Sequence, residues 1–152
     1  MNLKDFVKVR ESSDEGVRIP WDETGNIGFL ITYCGKEAIA KARKASLSKK
    51  LNTKTHQYEE VLDDDKFDYA IMKNTIKGWY GLKAKHLKEM LDPRVDTSGL
   101  AGQEEVEIEF TPDNLDLVIQ NYNLTFSRFI SGASLDIEVY NQHQGETLAK
   151  NS

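Results

Sequence analysis

The helix start Thr111-Pro112-Asp113-Asn114 is the feature of this sequence that most constrains its fold. It follows directly on an alternating run of apolar and acidic residues from Glu105 to Phe110. Thr111 can cap a helix, and Pro112 suits the first turn because no N–H donor is needed there. Asp113 complements the positive end of the helix dipole. The chain must therefore pass at this point from an extended segment into a helix.

The spacing of apolar residues predicts two helices after this start. A break is expected at residues 121–123, and the helix before it carries an apolar stripe at Leu115, Val118, Ile119 and Tyr122. The helix after the break carries a stripe over about four turns, formed by Phe126, Phe129, Ile130, Ala133, Ile137 and Tyr140.

The segments before the helix start are predicted to be extended. Val106, Ile108 and Phe110 alternate with three glutamates, and this period of two predicts a strand over residues 105–110 that covers a core. The preceding stretch, residues 94–103, contains two glycines, and we expect it to be a mobile loop.

Three stretches near the N-terminus have the β-branched and aromatic composition of strands. They cover residues 3–10, 17–21 and 27–33, and Pro20 places the second of them at a sheet edge. We expect a small antiparallel β element formed by two or three of these strands.

Helices are predicted over most of the chain from residue 36 to residue 91. Residues 36–51 are rich in Ala and Lys, and their thin apolar side favours close contact with another helix, within the chain or in a second copy. A second helix is expected within residues 59–77 and ended by Gly78, because glycine tolerates positive φ. A short helix is expected over residues 82–91, before Pro93.

Together these elements predict an α+β fold, with a small N-terminal antiparallel β element and a mainly α-helical remainder. A chain of 152 residues has the size of one domain. We therefore assign residues 1–142 to a single α+β domain. Residues 143–152 have almost no apolar side chains and are expected to be a flexible C-terminal tail.

Charge is distributed unevenly along the chain. The formal net charge is −5, which argues against a dedicated nucleic-acid-binding protein. Residues 36–54 hold seven basic side chains and one acid, whereas residues 59–68 hold six acids and one base. Such segments can be solvated helix faces, or they can pair with each other or help to select a partner.

Several features indicate a cytoplasmic protein that binds no membrane. Cys34 is the single cysteine, so the chain can form no internal disulfide. No apolar run approaches the roughly 18 residues that a membrane helix needs. Residues 1–5 lack the basic and apolar regions of a signal peptide.

No pattern in the sequence is typical of a catalytic, metal or cofactor site. His56, His86 and His143 stand apart, whereas a metal site needs ligands at compatible spacing. Residues 63–65 lack the glycine and the terminal glutamate of a calcium loop. Cys34 has no base nearby in sequence and is typical of a small buried side chain. We predict a protein that is not an enzyme.

Five apolar side chains are the candidates for contact with a partner. Trp79 and Tyr80 lie between two glycines. Either these rings are buried in the core, or one of them stays exposed as an anchor for a partner. The same two interpretations apply to Phe126, Phe129 and Ile130 in the last helix.

The region from Ile76 to Tyr140 carries a familiar order of residues, through Trp79, Gly81, Phe110, Thr111, Pro112 and Asn114. This order resembles the tail assembly chaperones of long-tailed bacteriophages and prophages. In that family a Trp-x-Gly segment precedes a Phe-Thr/Ser-Pro-Glu-Asn helix start and a C-terminal apolar helix. Asp113 stands where the family often has Glu.

The resemblance implies a protein without catalytic residues that acts in the cytoplasm of a host bacterium. Such chaperones coat the long tape measure protein, keep it soluble and help to recruit tail tube subunits. The partners implied are therefore the tape measure protein and the tail tube protein, with no cofactor, nucleic acid or membrane. Self-association through the small residues of the helix at 36–51 is a further expectation.

Two other functions are compatible with the sequence. The chain can be a structural minor tail protein or head–tail connector protein that stays in the phage particle. It can also be a small DNA-associated regulator if residues 36–54 form a helix that enters a groove. In that case its DNA binding would be sensitive to salt.

Overall fold

A computed structural model describes residues 1–7 and 16–135 of the chain. The predicted α+β class is confirmed, because helices and antiparallel strands both form and the strands make two small sheets. The end of the predicted last helix, residues 136–140, lies outside the described residues. The predicted tail, residues 143–152, lies outside them as well.

The described residues form five strands, β1 (Val17–Pro20), β2 (Gly28–Ile31), β3 (Leu47–Asn52), β4 (Gln57–Leu62) and β5 (Ile76–Tyr80). They also form five α-helices, α1 (Lys36–Ala45), α2 (Asp64–Thr75), α3 (Leu87–Met90), α4 (Pro112–Gln120) and α5 (Leu124–Leu135). None of these helices is long and apolar enough to cross a membrane.

The larger sheet has the strand order β1-β2-β5, and both pairings are antiparallel. Its first two strands lie within the predicted segments 17–21 and 27–33. The third strand corrects a prediction, because Gly78 lies inside β5 opposite Leu30 and does not end a helix. Pairing with β2 buries Ile76 and Trp79, and this burial outweighs the local preference of one glycine.

The described part of the predicted first strand is a turn. Leu3–Asp5 form one turn of 3-10 helix, in which the Asn2 side chain accepts a hydrogen bond from the backbone N–H of Lys4 at 3.2 Å. Phe6 is exposed and no sheet partner lies beside it among the described residues. The strand predicted over residues 3–10 is wrong for residues 3–7, because this local hydrogen bond favours a turn, and residues 8–10 lie outside the described residues.

The predicted helix over residues 36–51 ends early, at Ala45. The Ser46 hydroxyl donates a hydrogen bond to the Ala42 carbonyl oxygen at 2.6 Å, and β3 begins at the next residue. A continuous helix over residues 36–54, which the DNA-binding alternative requires, is therefore absent. Helix propensity missed this end because it does not count a hydrogen bond between a side chain and the backbone.

A β-hairpin, formed by β3 and β4, occupies residues 47–62. The Asn52 side chain turns the chain between the strands, because it accepts hydrogen bonds from the N–H groups of Lys54 and Thr55. The second predicted helix begins only after the hairpin, as α2, where the Asp63 side chain caps its first turn. The expectation of helix from residue 59 is corrected accordingly.

The helix start at Thr111 is confirmed. Its hydroxyl oxygen accepts a hydrogen bond from the Asn114 N–H at 3.1 Å, and Pro112 is the first residue of α4. The predicted break at residues 121–123 is also confirmed. Asn123 uses its side-chain oxygen to accept a hydrogen bond from the Phe126 N–H at 2.9 Å, in the first turn of α5.

Residues 105–110 do not form the predicted strand. They make one isolated bridge, between Lys83 and Glu107, and Val106 is 51% exposed. A 3-10 turn over residues 84–86 bends the opposite segment away, so that a ladder cannot continue. Residues 105–110 nevertheless lie against the core. Ile108 donates its N–H to the carbonyl oxygen of the buried Leu82 at 2.7 Å.

The segment 82–91 is helical in two short pieces, the 3-10 turn at residues 84–86 and α3. Leu87, Met90 and Leu91 are buried, as predicted. The loop at residues 94–103 contains one 3-10 turn, Ser98–Leu100, and its mobility stays a prediction.

The core lies between the three-stranded sheet and the helices that follow it. Its largest buried side chains come mainly from β2, β5, α3, α4 and α5, and they include Phe29, Ile31, Ile76, Met90, Ile119, Phe126 and Ile130. A smaller cluster of Cys34, Ala42 and Ile71 joins α1 to α2. The small residues of α1 thus make their close helix contact within the chain.

The Glu105 side chain links residues 104–108 to the segment after β5, which contains Lys83 and Lys85. Its two carboxylate oxygens accept hydrogen bonds from Lys85 Nζ at 2.8 Å and from Lys83 Nζ at 2.9 Å. These two ammonium groups lower the pKa of Glu105 from its ordinary 4.5 to about 2. The stabilisation is therefore fully present above pH 4.5 and is lost as the pH falls toward 2.

We expect Glu105→Gln to be less stable than the wild type at pH 7, with a difference that shrinks as the pH falls from 4.5 to about 2. Urea denaturation of both proteins across this pH range measures the difference in their free energies of unfolding. Glu109→Gln is the matched control, because Glu109 lies on the same segment and makes no ion pair among the described residues. An equal pH-dependent difference in the control would contradict the assignment to Glu105.

Candidate functional site

The structure separates the five predicted partner-binding residues by burial. Trp79 is 9% exposed, and Phe126 and Ile130 are 0% and 1% exposed. Tyr80 and Phe129 are half-buried. The three buried side chains belong to the core and offer no surface to a partner in this conformation.

An aromatic cluster explains why these residues are inside. The Trp79 ring stands edge-on to Phe110 at 4.8 Å between ring centroids, and its Nε1 donates a hydrogen bond to the Ile108 carbonyl oxygen at 2.8 Å. Phe126 contacts Phe29 with ring centroids 5.4 Å apart. The polar group of Trp79 is thus satisfied inside the protein, as buried indoles require.

The two half-buried candidates also have neighbours within the chain. The guanidinium of Arg18 lies over the Tyr80 ring, 4.1 Å from its centroid. Phe129 stands edge-on to Trp21, with centroids 4.9 Å apart. Both contacts use part of the ring surface that a partner would otherwise cover.

An exposed apolar surface with regular geometry lies on the β3–β4 hairpin, which sequence analysis did not predict. None of its residues is buried. Leu51 is 54% exposed and Tyr58 is 73% exposed, and these two side chains stand opposite each other near the turn. Leu47 and Leu62 form a second exposed pair at the base of the hairpin, 41% and 37% exposed.

These four side chains share one face, which we call the apolar hairpin face. Side chains alternate between the two sides of a strand, so that Leu47, Leu51, Tyr58 and Leu62 lie on the same side, with the pair Lys49 and Glu60 between the two apolar pairs. The reverse face is polar at its centre and near the turn, where Lys50 stands opposite Glu59 and Asn52 opposite Gln57.

The two charged segments of the sequence meet in this hairpin. Lys49 and Lys50 lie on β3, directly opposite Glu60 and Glu59 on β4. The two segments therefore lie next to each other across the two strands, as one interpretation of the sequence expected. Among the described residues Lys49, Lys50 and Glu60 form no ion pair closer than 4.0 Å.

The apolar hairpin face could have been found from the sequence. Residues 47–52 and 57–62 each place apolar side chains at both ends of a polar stretch, on either side of a turn that begins with Asn52. The Ala- and Lys-rich residues before them favour a helix, and this propensity concealed the weaker pattern of a hairpin.

Several concave regions lie elsewhere on the described surface, and the two of largest volume among them are a cleft and a groove. A cleft of about 900 Å³ is lined mainly by polar side chains from α2, α4 and the loop after α3. On its walls the Tyr69 hydroxyl donates to Asp116 and the Tyr122 hydroxyl donates to Asp68, both at 2.9 Å. Burial raises the pKa of Tyr122 above its ordinary value. A groove of about 470 Å³ between α1 and α2 has alanines on its floor and lysines on its rim.

The described residues contain no group of three or more His, Cys, Asp or Glu side chains arranged to hold a metal ion. Cys34 is 2% exposed, and burial raises the pKa of its thiol, so that the thiol form is favoured. Neither observation supplies a nucleophile or a metal for chemistry. The apolar hairpin face is the candidate functional site, because Leu51 and Tyr58 are more than half exposed there.

The residues of the chaperone-like motif form one structural unit. Trp79 contacts Phe110, Thr111 caps α4, and the Asn114 side chain donates a hydrogen bond to the Glu109 carbonyl oxygen at 2.8 Å. The motif thus joins β5 to the start of α4 and has a structural role. Comparison of the chain with protein-family models, with curated proteins and with solved structures finds no match.

Proposed function

We propose that this protein is an assembly chaperone that binds and shields apolar segments of a larger protein, the tape measure protein of a long-tailed phage. The observation that carries the proposal is the apolar hairpin face, on which Leu51 and Tyr58 are more than half exposed. An isolated two-stranded hairpin is marginally stable in water. A partner that covers this face would stabilise the hairpin and be shielded itself.

The motif supports the identity of the client, and the hairpin supports the manner of binding. The order of Trp79, Gly81 and the helix start at Thr111 resembles the tail assembly chaperones, whose client has long helical apolar stretches. Such stretches are bound by surfaces that accept the apolar side of a helix. The tail tube protein is a further partner under the same proposal.

Co-expression with the tape measure protein of the same phage genome tests the proposal. We expect the client to stay in the soluble fraction and to elute with this protein in size-exclusion chromatography. The double variant Leu51→Thr, Tyr58→Thr keeps β propensity but removes exposed apolar area. It should weaken binding at least about tenfold, because each lost anchor contributes on the order of 1 kcal/mol or more.

Leu117→Ala is the matched control, since Leu117 is 51% exposed on α4, away from the hairpin. It should retain the client as the wild type does. A client that precipitates while folded wild-type protein elutes alone would overturn the proposal. Detection of the protein in purified phage particles would instead favour the structural tail or connector function.

A further inference from the structure

The apolar hairpin face has the dimensions of one α-helix. Each strand has six residues, so the face is about 20 Å long, and its two strands lie about 4.8 Å apart. A helix of about 13 residues has the same length, and its diameter with side chains is about 10–12 Å. One helix laid along the strands would therefore cover the face from the base to the turn.

The spacing of the apolar pairs fits the repeat of such a helix. Leu47 with Leu62 and Leu51 with Tyr58 are separated by four residues along each strand, about 13 Å. On a helix, positions i and i+8 are about 12 Å apart and, about 80° apart around the axis, lie within one broad apolar stripe. Two apolar side chains at this spacing would contact the two pairs, one at each end of the face.

Charge divides the centre of the face into two halves. Lys49 on β3 and Glu60 on β4 lie between the apolar pairs, and neither forms an ion pair among the described residues. A helix above them would need an acidic side chain on the β3 side and a basic side chain on the β4 side. Turning the helix end for end would reverse these flanks and bring like charges together.

A second copy of the chain fits this face poorly. Packed end for end, it would place Lys49 over Lys49 and Glu60 over Glu60 at the centre of the contact. Packed in the same direction, it would require two complete domains to lie side by side at the same end of hairpins only about 10 Å apart. A single helix from another protein meets neither requirement, and we take it as the occupant.

We infer that the apolar hairpin face binds an amphipathic helix of the partner, with acidic residues on one flank and basic residues on the other, in a single direction set by Lys49 and Glu60. The assignment of this helix to the client rests on the proposed function. The binding geometry itself rests on the hairpin alone.

Two synthetic peptides of the same composition test the inference without the natural client. Each peptide has 14 residues, with leucines along one side of the helix. In the segregated peptide all Glu residues lie on one flank of the leucines and all Lys residues on the other. In the second peptide Glu and Lys are intermixed on both flanks. Fluorescence anisotropy at low salt measures their affinity for the full chain. We expect the segregated peptide to bind about threefold to thirtyfold more tightly, because two exposed charge pairs are attractive only in that peptide.

Charge exchange tests the direction of binding. Lys49→Glu with Glu60→Lys keeps opposite charges across the strands but exchanges the two halves of the face. A fluorophore attached at Thr53→Cys, in the turn, reports by energy transfer which end of the labelled peptide lies nearby. Cys34 is buried and is therefore protected from labelling. We expect the peptide end that lies near the turn in the wild type to lie near the base of the hairpin in this variant.

The exchange Lys50→Glu with Glu59→Lys is the matched control, because it makes the same change on the reverse face. It should leave affinity and direction unchanged, and circular dichroism checks that both variants fold. Three outcomes would each overturn the inference. They are equal affinities for the two peptides, an unchanged binding direction after the Lys49 and Glu60 exchange, and a closed dimer that excludes peptide. A client that stays soluble in any of these cases would leave the proposed function standing.

Discussion

Phe126→Ala is expected to lower the free energy of unfolding by about 3–5 kcal/mol. Phe126 is 0% exposed, and its ring lies 5.4 Å from Phe29 and 6.1 Å from Trp21 between centroids. Truncation to alanine removes these contacts and leaves a cavity between α5 and the sheet, which relaxes only in part. Urea denaturation followed by tryptophan fluorescence measures the loss.

Leu124→Ala is the control on the same helix, because Leu124 is 61% exposed at the start of α5. It should change the free energy of unfolding by less than about 0.5 kcal/mol. The pair of variants also separates the two interpretations of the aromatic residues in the sequence. A Phe126→Ala protein with wild-type stability but weaker client binding would show that Phe126 is an anchor for a partner and not a core residue.

Gly81→Ala is expected to destabilise the protein through two additive effects. Gly81 has φ of 66°, a left-handed conformation that is strained for a residue with a side chain, and a Cβ there would overlap the carbonyl oxygen of Asn26. Backbone strain and overpacking each cost about 1–3 kcal/mol. The overlap is with backbone, so relief requires the turn before β2 to move away from the end of β5.

Gly132→Ala is the control, for which we expect stabilisation instead of destabilisation. Gly132 lies in α5 with open space where its Cβ would stand and without positive φ. Alanine should stabilise this position by about 0.4–1 kcal/mol because it restricts the unfolded chain and favours the helix. Thermal denaturation of both variants measures the effects, and a Gly81→Ala protein as stable as the wild type would contradict the described turn.

Short-range signals determined the parts of the fold that the sequence predicts well. Thr111 caps α4 through its hydroxyl oxygen and Asn123 caps α5 through its side-chain amide oxygen, so both boundaries depend on residues three positions apart. The stripe of Phe126, Ile130 and Ala133 is buried because the period of the helix places these side chains on one side. Such features need no knowledge of what the helix packs against.

Tertiary structure decided the parts that local patterns could not. β5 forms because β2 pairs with it, and Trp79 is buried because the Ile108 carbonyl oxygen, 29 residues away, accepts its N–H. Leu51 and Tyr58 remain exposed because the hairpin extends from α1 and α2 and no other described element covers that face. Helix propensity and aromatic content are properties of single residues and near neighbours, whereas burial depends on segments brought together from distant parts of the chain. The starts of α4 and α5 and the α+β class could therefore be read from the sequence, while the ends of the earlier helices and the location of the candidate site required the tertiary structure.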